Sequence, residues 1–369
     1  MEKEQTRVLQ VLGNVAAGGV EAVIMNYYQH INRSKVQFDF IVHKGAQPSY
    51  VEMVKSLGGR VYEITPYARN IFAYTYEIYR IIKDNKYKIV HCNMNALSCF
   101  PLFAAWLACA NVRILHNHTT DTKAESLRTM IKHILRPFAK MFANKYWACS
   151  KLAGQWMYGA EALEQGEVTI INNAIDLQKF AFNKEKRDLL RKELGLEGCF
   201  VVGHVGRFMK QKNHEFLVKI FEKVAKQNKE ARLMLIGDGL LRRQIEAQVA
   251  ELGLSEKVVF TGIRTDVADL YNVMDVFCLP SFYEGLPVVG VEAQANGLPF
   301  LCSEDVTKEI LISKAVYLLS IEQGINQWCD AVLKSVGKGR VDTAGDFADK
   351  GFDIKLEAEK LEKLYLNQV

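Results

Sequence analysis

The sequence predicts an α/β protein made of two domains, each a parallel sheet covered by helices. Three observations predict it. The chain has 369 residues, too many for one ordinary core and about right for two. Short apolar runs alternate with longer helical patterns from end to end, the sign of parallel strands buried on both faces. The alternation breaks once, over Asp176–Gly198, where charged residues crowd together.

In order, the expected strands of the first series are Arg7–Leu12, Phe38–Val42, Arg60–Ile64, Lys88–Cys92, Arg113–Leu115, Lys145–Ala148 and Val168–Ile171. Helical patterns fall between them at Glu21–Ile31, Phe72–Lys83, Leu97–Cys109 and Ser150–Tyr158. Asp176–Gly198 reads as a linker with a surface helix. A second series follows at Phe200–Val205, Arg232–Ile236, Val258–Phe260, Val276–Leu279 and Phe300–Cys302. Two Rossmann-like halves in tandem, facing across a cleft, are the simplest architecture. The expected boundaries are 1–175 for the N-terminal domain, 176–350 for the C-terminal domain and 351–369 for a last helix. That helix either caps the second domain or crosses back to the first.

Composition narrows the function. With 49% hydrophobic and 24% charged residues, bulk disorder is excluded. A net charge of +5 is too mild for a dedicated nucleic-acid binder, yet compatible with anionic ligands or anionic lipid. Eight cysteines lie mostly in apolar runs without a CxxC pair. They read as buried thiols of a reducing compartment, not as a disulfide framework or zinc site. Met1–Arg7 carries no apolar signal core. The longest apolar stretch, Ala96–Ala110, contains Pro101 and is shorter than the roughly 20 residues of a membrane span. It reads as a buried helix, and the protein as cytoplasmic.

Three segments carry candidate chemistry. The first expected strand runs into Gly13-Asn14-Val15-Ala16-Ala17-Gly18-Gly19-Val20-Glu21. Gly18 and Gly19 at a helix N-terminus let backbone N–H groups approach an anion. Taken alone, the loop reads equally as a tight turn, and neither GxGxxG nor GxxxxGK[ST] occurs. The second domain opens with a strand ending in Val205-Gly206-Arg207-Phe208-Met209-Lys210-Gln211-Lys212. Cations there stand at the edge where open α/β sheets bind ligands: Arg207 can fork onto phosphate and Lys212 add a point charge, although a solvated basic loop has the same composition. The third segment is Leu279-Pro280-Ser281-Phe282-Tyr283-Glu284-Gly285-Leu286-Pro287. Pro287 suits the first turn of a helix, which would put the N–H groups of Gly285 and Leu286 at its positive end. Glu284 and Glu292 have seven residues between them. If those are largely helical, the two lie roughly 10–12 Å apart, beyond the roughly 5–5.5 Å of a retaining glycosidase pair. They can instead hold two parts of one extended ligand, while Glu284 alone reads as a helix cap.

Together, PSFYEGLPVVGVEAQANGLP, GRFMKQKN, Leu235-Ile236-Gly237-Asp238-Gly239 and the early GGVE loop resemble glycosyltransferase family 4. These are retaining enzymes of the GT-B fold, many of which build bacterial capsule or exopolysaccharide. The resemblance implies that Glu284 holds donor-sugar hydroxyls and Glu292 the nucleotide ribose. Arg207 and Lys212 would hold the donor diphosphate, Gly285 and Leu286 supply backbone donors, and Gly18 and Gly19 close over the diphosphate and acceptor region. His118 resembles the family's first-domain histidine that reaches the reacting sugar, with His116 and His91 as rivals. Ile171-Asn172-Asn173-Ala174 departs from the family's proline–asparagine–glycine turn, and Ala174 tolerates positive φ poorly.

The implied reaction is transfer of a sugar from a nucleotide diphosphate sugar, UDP being the commoner, to an acceptor hydroxyl with retention. The chain has no DxD motif and no evident nucleophile; no cofactor or metal is expected, and the resemblance to the family implies a front-face mechanism in which the leaving phosphate helps deprotonate the acceptor. Residues 126–143 bear on the acceptor. Leu127, Met130, Ile131, Ile134, Leu135, Phe138, Met141 and Phe142 keep helical spacing, with Arg128, Lys132, Arg136 and Lys140 on other faces and Pro137 expected to kink or split the helix. Such a helix lies on anionic lipid or packs on the core with a solvated basic side. The expected partners are therefore a nucleotide-sugar donor, a glycan or lipid-linked acceptor and an anionic membrane surface at its inner face. Nucleic acid is not expected. A non-catalytic donor-binding partner and a nucleotide-sugar epimerase are the competing readings.

Overall fold

The computed structural model describes residues 5–13, 18–120, 127–348 and 350–368; the side chains at 127–129, 344 and 348 are outside the description. Residues 14–17 of the glycine loop, Ser126, and the side chains of Leu127 and Arg128 therefore lie outside the described set. The chain divides into two compact units, Met1–Ala174 with Asp353–Val369, and Ile175–Phe352.

The strands of the first unit are β1 (Thr6–Val11), β2 (Val36–His43), β3 (Val61–Ile64), β4 (Ile89–Cys92), β5 (Val112–Asn117), β6 (Lys145–Ala148) and β7 (Val168–Ile170). They form one sheet in the order β3-β2-β1-β4-β5-β6-β7, every pair parallel. Its helices are α1 (Gly19–His30), α2 (Pro48–Ser56), α3 (Ile71–Asn85), α4 (Cys99–Leu107), α5 (Leu127–Phe142), α6 (Lys151–Tyr158) and α7 (Ala160–Glu164). β2 is buried along its whole length, so its one acid needs partners. Asp39 finds them in the Arg7 Nε (2.7 Å), the Tyr87 hydroxyl (2.6 Å) and the Arg60 N–H (2.7 Å). α3 starts where the Asn70 side chain accepts from the N–H groups of Phe72 and Ala73, and it buries Tyr74, Ile78 and Ile82 at four-residue spacing.

The second unit carries α8 (Leu177–Phe180), α9 (Lys184–Glu193), β8 (Phe200–Val205), α10 (His214–Gln227), β9 (Ala231–Ile236), α11 (Arg242–Glu251), β10 (Val258–Gly262), α12 (Val267–Val273), β11 (Val276–Leu279), α13 (Val288–Ala295), β12 (Phe300–Ser303), β13 (Val316–Leu319), α14 (Ile325–Leu333) and α15 (Ala344–Ala348). Its parallel sheet runs β10-β9-β8-β11-β12-β13. A core of Phe200, Val202, Leu217, Phe221 and Trp328 fills the space under α10 and α14. The last helix, α16 (Ile354–Leu366), belongs to the first unit. It is tied there by the Lys35–Glu362 pair (2.9 Å) and by the buried Tyr365.

Several readings are corrected. Asp176–Gly198 carries the surface helix expected in it, α9, but two of its charges are not solvated: Arg187 and Arg191 turn inward onto Asp275 (2.5 and 2.6 Å) and onto the carbonyls of Asn272 and Val273. The fully buried apolar helix becomes a half-buried one, because α4 ends with Trp106 and Leu107 exposed. Cys109 is exposed while the other seven thiols are buried, and all eight are free. α5 runs through Pro137 as one helix. Its end is pinned by Phe142 against Phe103 and Trp106 (ring centroids 5.0 and 5.8 Å). Ala174 takes no positive φ; its N–H bonds the Asn172 carbonyl at 2.8 Å, a tighter turn that alanine accepts. No described helix is long and apolar enough to cross a membrane.

Two of the cations expected on the basic face of α5 turn onto α6. Arg136 donates to the Trp156 carbonyl (2.8 Å) and Lys140 to the Tyr158 carbonyl (3.1 Å), closing the C-terminus of α6, where cations are favoured. Met130, Ile131, Ile134, Phe138 and Met141 are left exposed instead.

Candidate active site

In each sheet the strand order reverses beside the first strand, between β1 and β4 and between β8 and β11. The crevice at such a switch point, beyond the carboxyl ends of the strands, is where open α/β sheets take ligands.

In the second unit, β8 ends at Val205 and the chain turns through Gly206–Asn213 into α10. The turn is held against the loop after β9: the Gly206 N–H bonds the Ile236 carbonyl (2.9 Å), and the Phe208 N–H bonds the Asp238 carbonyl (3.0 Å). This close approach explains Gly237 (φ 132°), whose place would not admit a Cβ without collision with the Gly206 carbonyl. Below the turn, the Phe208 ring stacks on His214 (4.1 Å between centroids). Asn213 takes the left-handed conformation (φ 55°) that starts α10.

The turn is joined across the switch point to the loop after β11. Lys212 Nζ lies 2.6 Å from Glu284 Oε1 in an ion pair largely shielded from solvent. The Gln211 side-chain amide donates to the Tyr283 carbonyl (2.8 Å), and the Gln211 backbone carbonyl accepts from the Phe282 N–H (2.9 Å). Arg207 is exposed on the same turn. Glu284 also makes an isolated parallel bridge with Val306.

α13 begins at Val288, with Pro287 as its extended cap. Pro287 is therefore not in the first turn. Gly285 and Leu286 precede the cap and are buried, and only the second half of the Glu284–Glu292 interval is helical. Further along α13, Glu292 accepts from the Tyr271 hydroxyl at 2.8 Å. Burial pushes its carboxyl up to about 7, against the pull of that hydrogen bond and of the Lys179 charge.

In the first unit, Gly18 caps α1 in extended conformation and Gly19 is the helix's first residue. His118 follows β5, and its ring lies on His116 (3.9 Å, 34°). His118 Nε2 is 3.0 Å from Asn93 Oδ1, and its N–H donates to Asn95 Oδ1 (2.8 Å). From Asn93 a buried chain of hydrogen bonds runs on. The Asn93 amide donates to Gln10 Oε1 (3.0 Å), and the Gln10 amide donates to the Tyr365 hydroxyl (3.1 Å). Tyr365 meets His91 Nδ1 (2.7 Å), and His91 Nε2 meets His116 Nδ1 (3.0 Å).

The direction of this chain is set at Asn93, because its NH2 also faces the His91 carbonyl at 3.3 Å and so cannot be exchanged for its oxygen. Asn93 Oδ1 then accepts, His118 Nε2 carries the proton, and His118 Nδ1 keeps its lone pair. Tyr365 donates to His91, His91 donates to His116, and the chain ends at the buried His116 Nε2. Burial, the largest cause, drops His118 to about 3 and holds His91 and His116 well below the usual range, so all three are neutral at pH 7.

Comparison with known proteins gives the family. Residues 17–179 match the profile described as Glycosyltransferase Family 4, and residues 199–337 match Glycosyl transferases group 1. The chain is 33% identical over 349 residues to the EpsF protein of Bacillus subtilis (strain 168), covering 92% of this chain and 90% of that one. The chain belongs to glycosyltransferase family 4. This glycosyltransferase is also 27% identical over 309 residues to the UDP-Gal:alpha-D-GlcNAc-diphosphoundecaprenol alpha-1,3-galactosyltransferase of Escherichia coli, covering 79% of this chain and 78% of that one. Anabaena Alr3699/HepE, solved in complex with UDP and glucose, shares the GT-B fold, with a TM-score of 0.79 at 17% identity over 99% of this chain and 100% of that one.

Within the glycosyltransferase, Lys212 and Glu284 are brought into direct contact and Arg207 stands on the same turn. Glu292 sits apart on α13 with its own partner, Tyr271. Gly18, Gly19 and His118 belong to the other unit. The two rivals of His118 serve as its supports, since His91 and His116 are links in the chain that ends beneath its ring. Sequence reasoning missed Gln10, Asn93, Gln211, Tyr271 and Tyr365. Gln211, one position before Lys212, was the readable one.

Proposed function

We propose that this glycosyltransferase moves a sugar from a UDP-sugar to a hydroxyl of a lipid-linked glycan in surface polysaccharide synthesis, with retention and without a metal. The observation that carries the reading is the Lys212–Glu284 pair spanning the switch point, with Arg207 on the same turn. An ammonium has three donors and Glu284 uses one, so Lys212 can hold a diphosphate oxygen as well. Arg207 adds a second cation on the leaving group. Fixed charges of this kind stabilise the departing diphosphate without reorganisation, and such preorganised electrostatics usually contributes more to the rate than any other effect. Glu284 and Glu292 then hold donor-sugar and ribose hydroxyls, and His118 offers its Nδ1 lone pair to a sugar hydroxyl. The bond from the anomeric carbon to the diphosphate oxygen breaks while the acceptor oxygen bonds to the same face. The acceptor proton passes to the departing phosphate oxygen. The donor and the lipid-linked acceptor of the Escherichia coli relative support this reading, as does UDP in the structural neighbour.

The exposed stripe of α5 supports work at the inner membrane face. Five half-exposed apolar side chains each gain about 1 kcal/mol on burial in lipid. Cations near a surface contribute about 1 kcal/mol apiece, but Arg136 and Lys140 are already held on α6. Apolar burial therefore dominates.

The test is incubation with a panel of UDP-sugars and a polyprenyl-diphosphate-linked acceptor in chelator, with the product linkage read by NMR. An α linkage from an α donor is expected. An inverted linkage or a strict metal requirement overturns the mechanism. An isomerised sugar nucleotide without acceptor would indicate an epimerase, and donor binding without turnover a non-catalytic partner.

A further inference from the structure

One oxygen of the Glu292 carboxylate is engaged within the protein. Among the described residues its hydrogen-bond partner is the Tyr271 hydroxyl, which donates to Oε2 at 2.8 Å. Glu292 keeps partial exposure, whereas Tyr271 is fully buried. A carboxylate can accept at both oxygens, so a buried hydroxyl that fixes one leaves the other to a ligand.

Tyr271 is held as a fixed donor. Its ring packs between Phe180 (centroids 6.0 Å apart) and Phe277 (5.6 Å). Arg340 donates to the carbonyls of Tyr271 (3.0 Å), Asn272 (3.2 Å) and Met274 (2.9 Å), closing the C-terminus of α12. Burial, together with the Glu292 charge, holds the phenol well above its usual range, so it stays protonated and donates.

The same contact sets the direction of Glu292. α13 follows the loop at the carboxyl end of β11, so its N-terminus faces the crevice, and side chains on a helix lean toward its N-terminus. The Tyr271 hydroxyl also lies 3.3 Å from the Val289 carbonyl, three positions before Glu292. The carboxylate bonded to that hydroxyl is therefore folded back along the preceding turn, toward the crevice. Of the hydroxyl's two acceptors the carboxylate is the nearer and the charged one, and it takes the proton. Phe277 is the second residue of β11, so the Tyr271 ring approaches Glu292 from the amino side of the sheet and does not fill the crevice.

We propose that Tyr271 is the positioning residue for ribose selection: by holding Oε2 it presents Oε1 of Glu292 to the 2′- and 3′-hydroxyls of the donor nucleotide. A glutamate already held gives up less side-chain freedom on binding than a free one. The proposal rests on the ribose reading of Glu292 and adds the residue that makes it selective.

The experiment measures by calorimetry the affinities of UDP and of 2′,3′-dideoxy-UDP for the full chain, for Tyr271→Phe, for Glu292→Ala and for the double variant. It is run at pH 8, above the value of about 7 for Glu292. Wild type is expected to favour UDP by roughly tenfold or more, because a site built for hydroxyls rejects an analogue without them. Glu292→Ala should abolish most of that preference. Tyr271→Phe should cut it by about threefold or more, leave dideoxy-UDP binding unchanged, and add nothing in the Glu292→Ala background. Equal weakening of both nucleotides by Tyr271→Phe, or an effect that persists in the double variant, would make the hydroxyl merely structural and overturn the proposal. If wild type has no preference, or Glu292→Ala keeps it, the ribose reading of Glu292 fails and the proposal falls with it. If Glu292→Ala loses the preference and Tyr271→Phe keeps it, the ribose reading stands and Tyr271 alone is overturned. Should Tyr271→Phe not fold, 3-fluorotyrosine placed at position 271 retains the hydroxyl. Its fluorine resonance should then move with UDP and not with dideoxy-UDP, and an equal response to both, or none to either, overturns the proposal.

Discussion

At the scale of single residues, the account turns on groups that hold one another ready. Lys212 and Glu284 are shielded and paired, so truncating Lys212 takes the nearby cation from a buried carboxylate, at a cost of about 3 kcal/mol. Lys212→Ala should lose that much stability in denaturant titration. Glu284→Gln keeps an acceptor for Lys212 and should lose less stability than Lys212→Ala, yet lose 100-fold or more in turnover, the scale of deleting one aimed polar group. A Gln variant that destabilises as much as it inactivates would make the pair merely structural. Tyr365 offers a second case. Tyr365→Phe strands the Gln10 amide and His91 Nδ1, costing about 1–3 kcal/mol, while His118 keeps the tautomer that Asn93 fixes, so stability should fall with little change in kcat. A large loss of kcat in a folded Tyr365→Phe protein would contradict an origin of the direction at Asn93.

At the scale of elements, the strand ends carry buried neutral histidines. Burial holds His91 and His116 well below the usual range, drops His118 to about 3 and, in the second unit, takes His204 to about 4 and His214 to about 2. These folded-state values are depressed, so the unfolded chain takes up protons that the fold refuses. Their stability contribution is complete above about pH 6.5 and is lost as pH falls below it, each by about 1.4 kcal/mol per pH unit. Glu292, raised to about 7, acts in the opposite sense between its ordinary value and 7, but it is one group against five. The melting temperature should therefore fall steadily from pH 7 to pH 5, and a rise over that interval would contradict the buried-histidine account. α5 yields a different prediction. Its outward face is apolar and two of its cations are engaged on α6. Binding to anionic liposomes should survive 0.5 M salt and drop tenfold or more with Ile134→Ser and Phe138→Ser. Release by salt alone would contradict binding through the apolar face.

At the scale of the whole molecule, what the sequence made legible was what local patterns encode. Continuous apolar runs such as Phe200–Val205 and Val276–Leu279 are strands because both sheet faces are covered, and both were readable. β13 was not, because three of its four residues are partly exposed and carry no distinctive period. Arg187 and Arg191 looked like solvent-facing charge because nothing local reveals an Asp275 eighty-odd positions away. The site divides in the same way. Arg207, Lys212, Glu284 and Glu292 stand in compact motifs. The chain that orients His118 joins Gln10 and His91 to Tyr365 across 355 and 274 positions, and only the placement of α16 in the first unit brings those residues together.

The central claim is a metal-free diphosphate site at the Lys212–Glu284 pair, and calorimetric titration of UDP in excess chelator tests it most directly. The account predicts saturable binding to the wild type, weakened tenfold or more in Lys212→Ala and in Arg207→Ala, both measured at temperatures where the variants are folded. Binding that needs an added divalent cation, or that is unchanged in both variants, would contradict it.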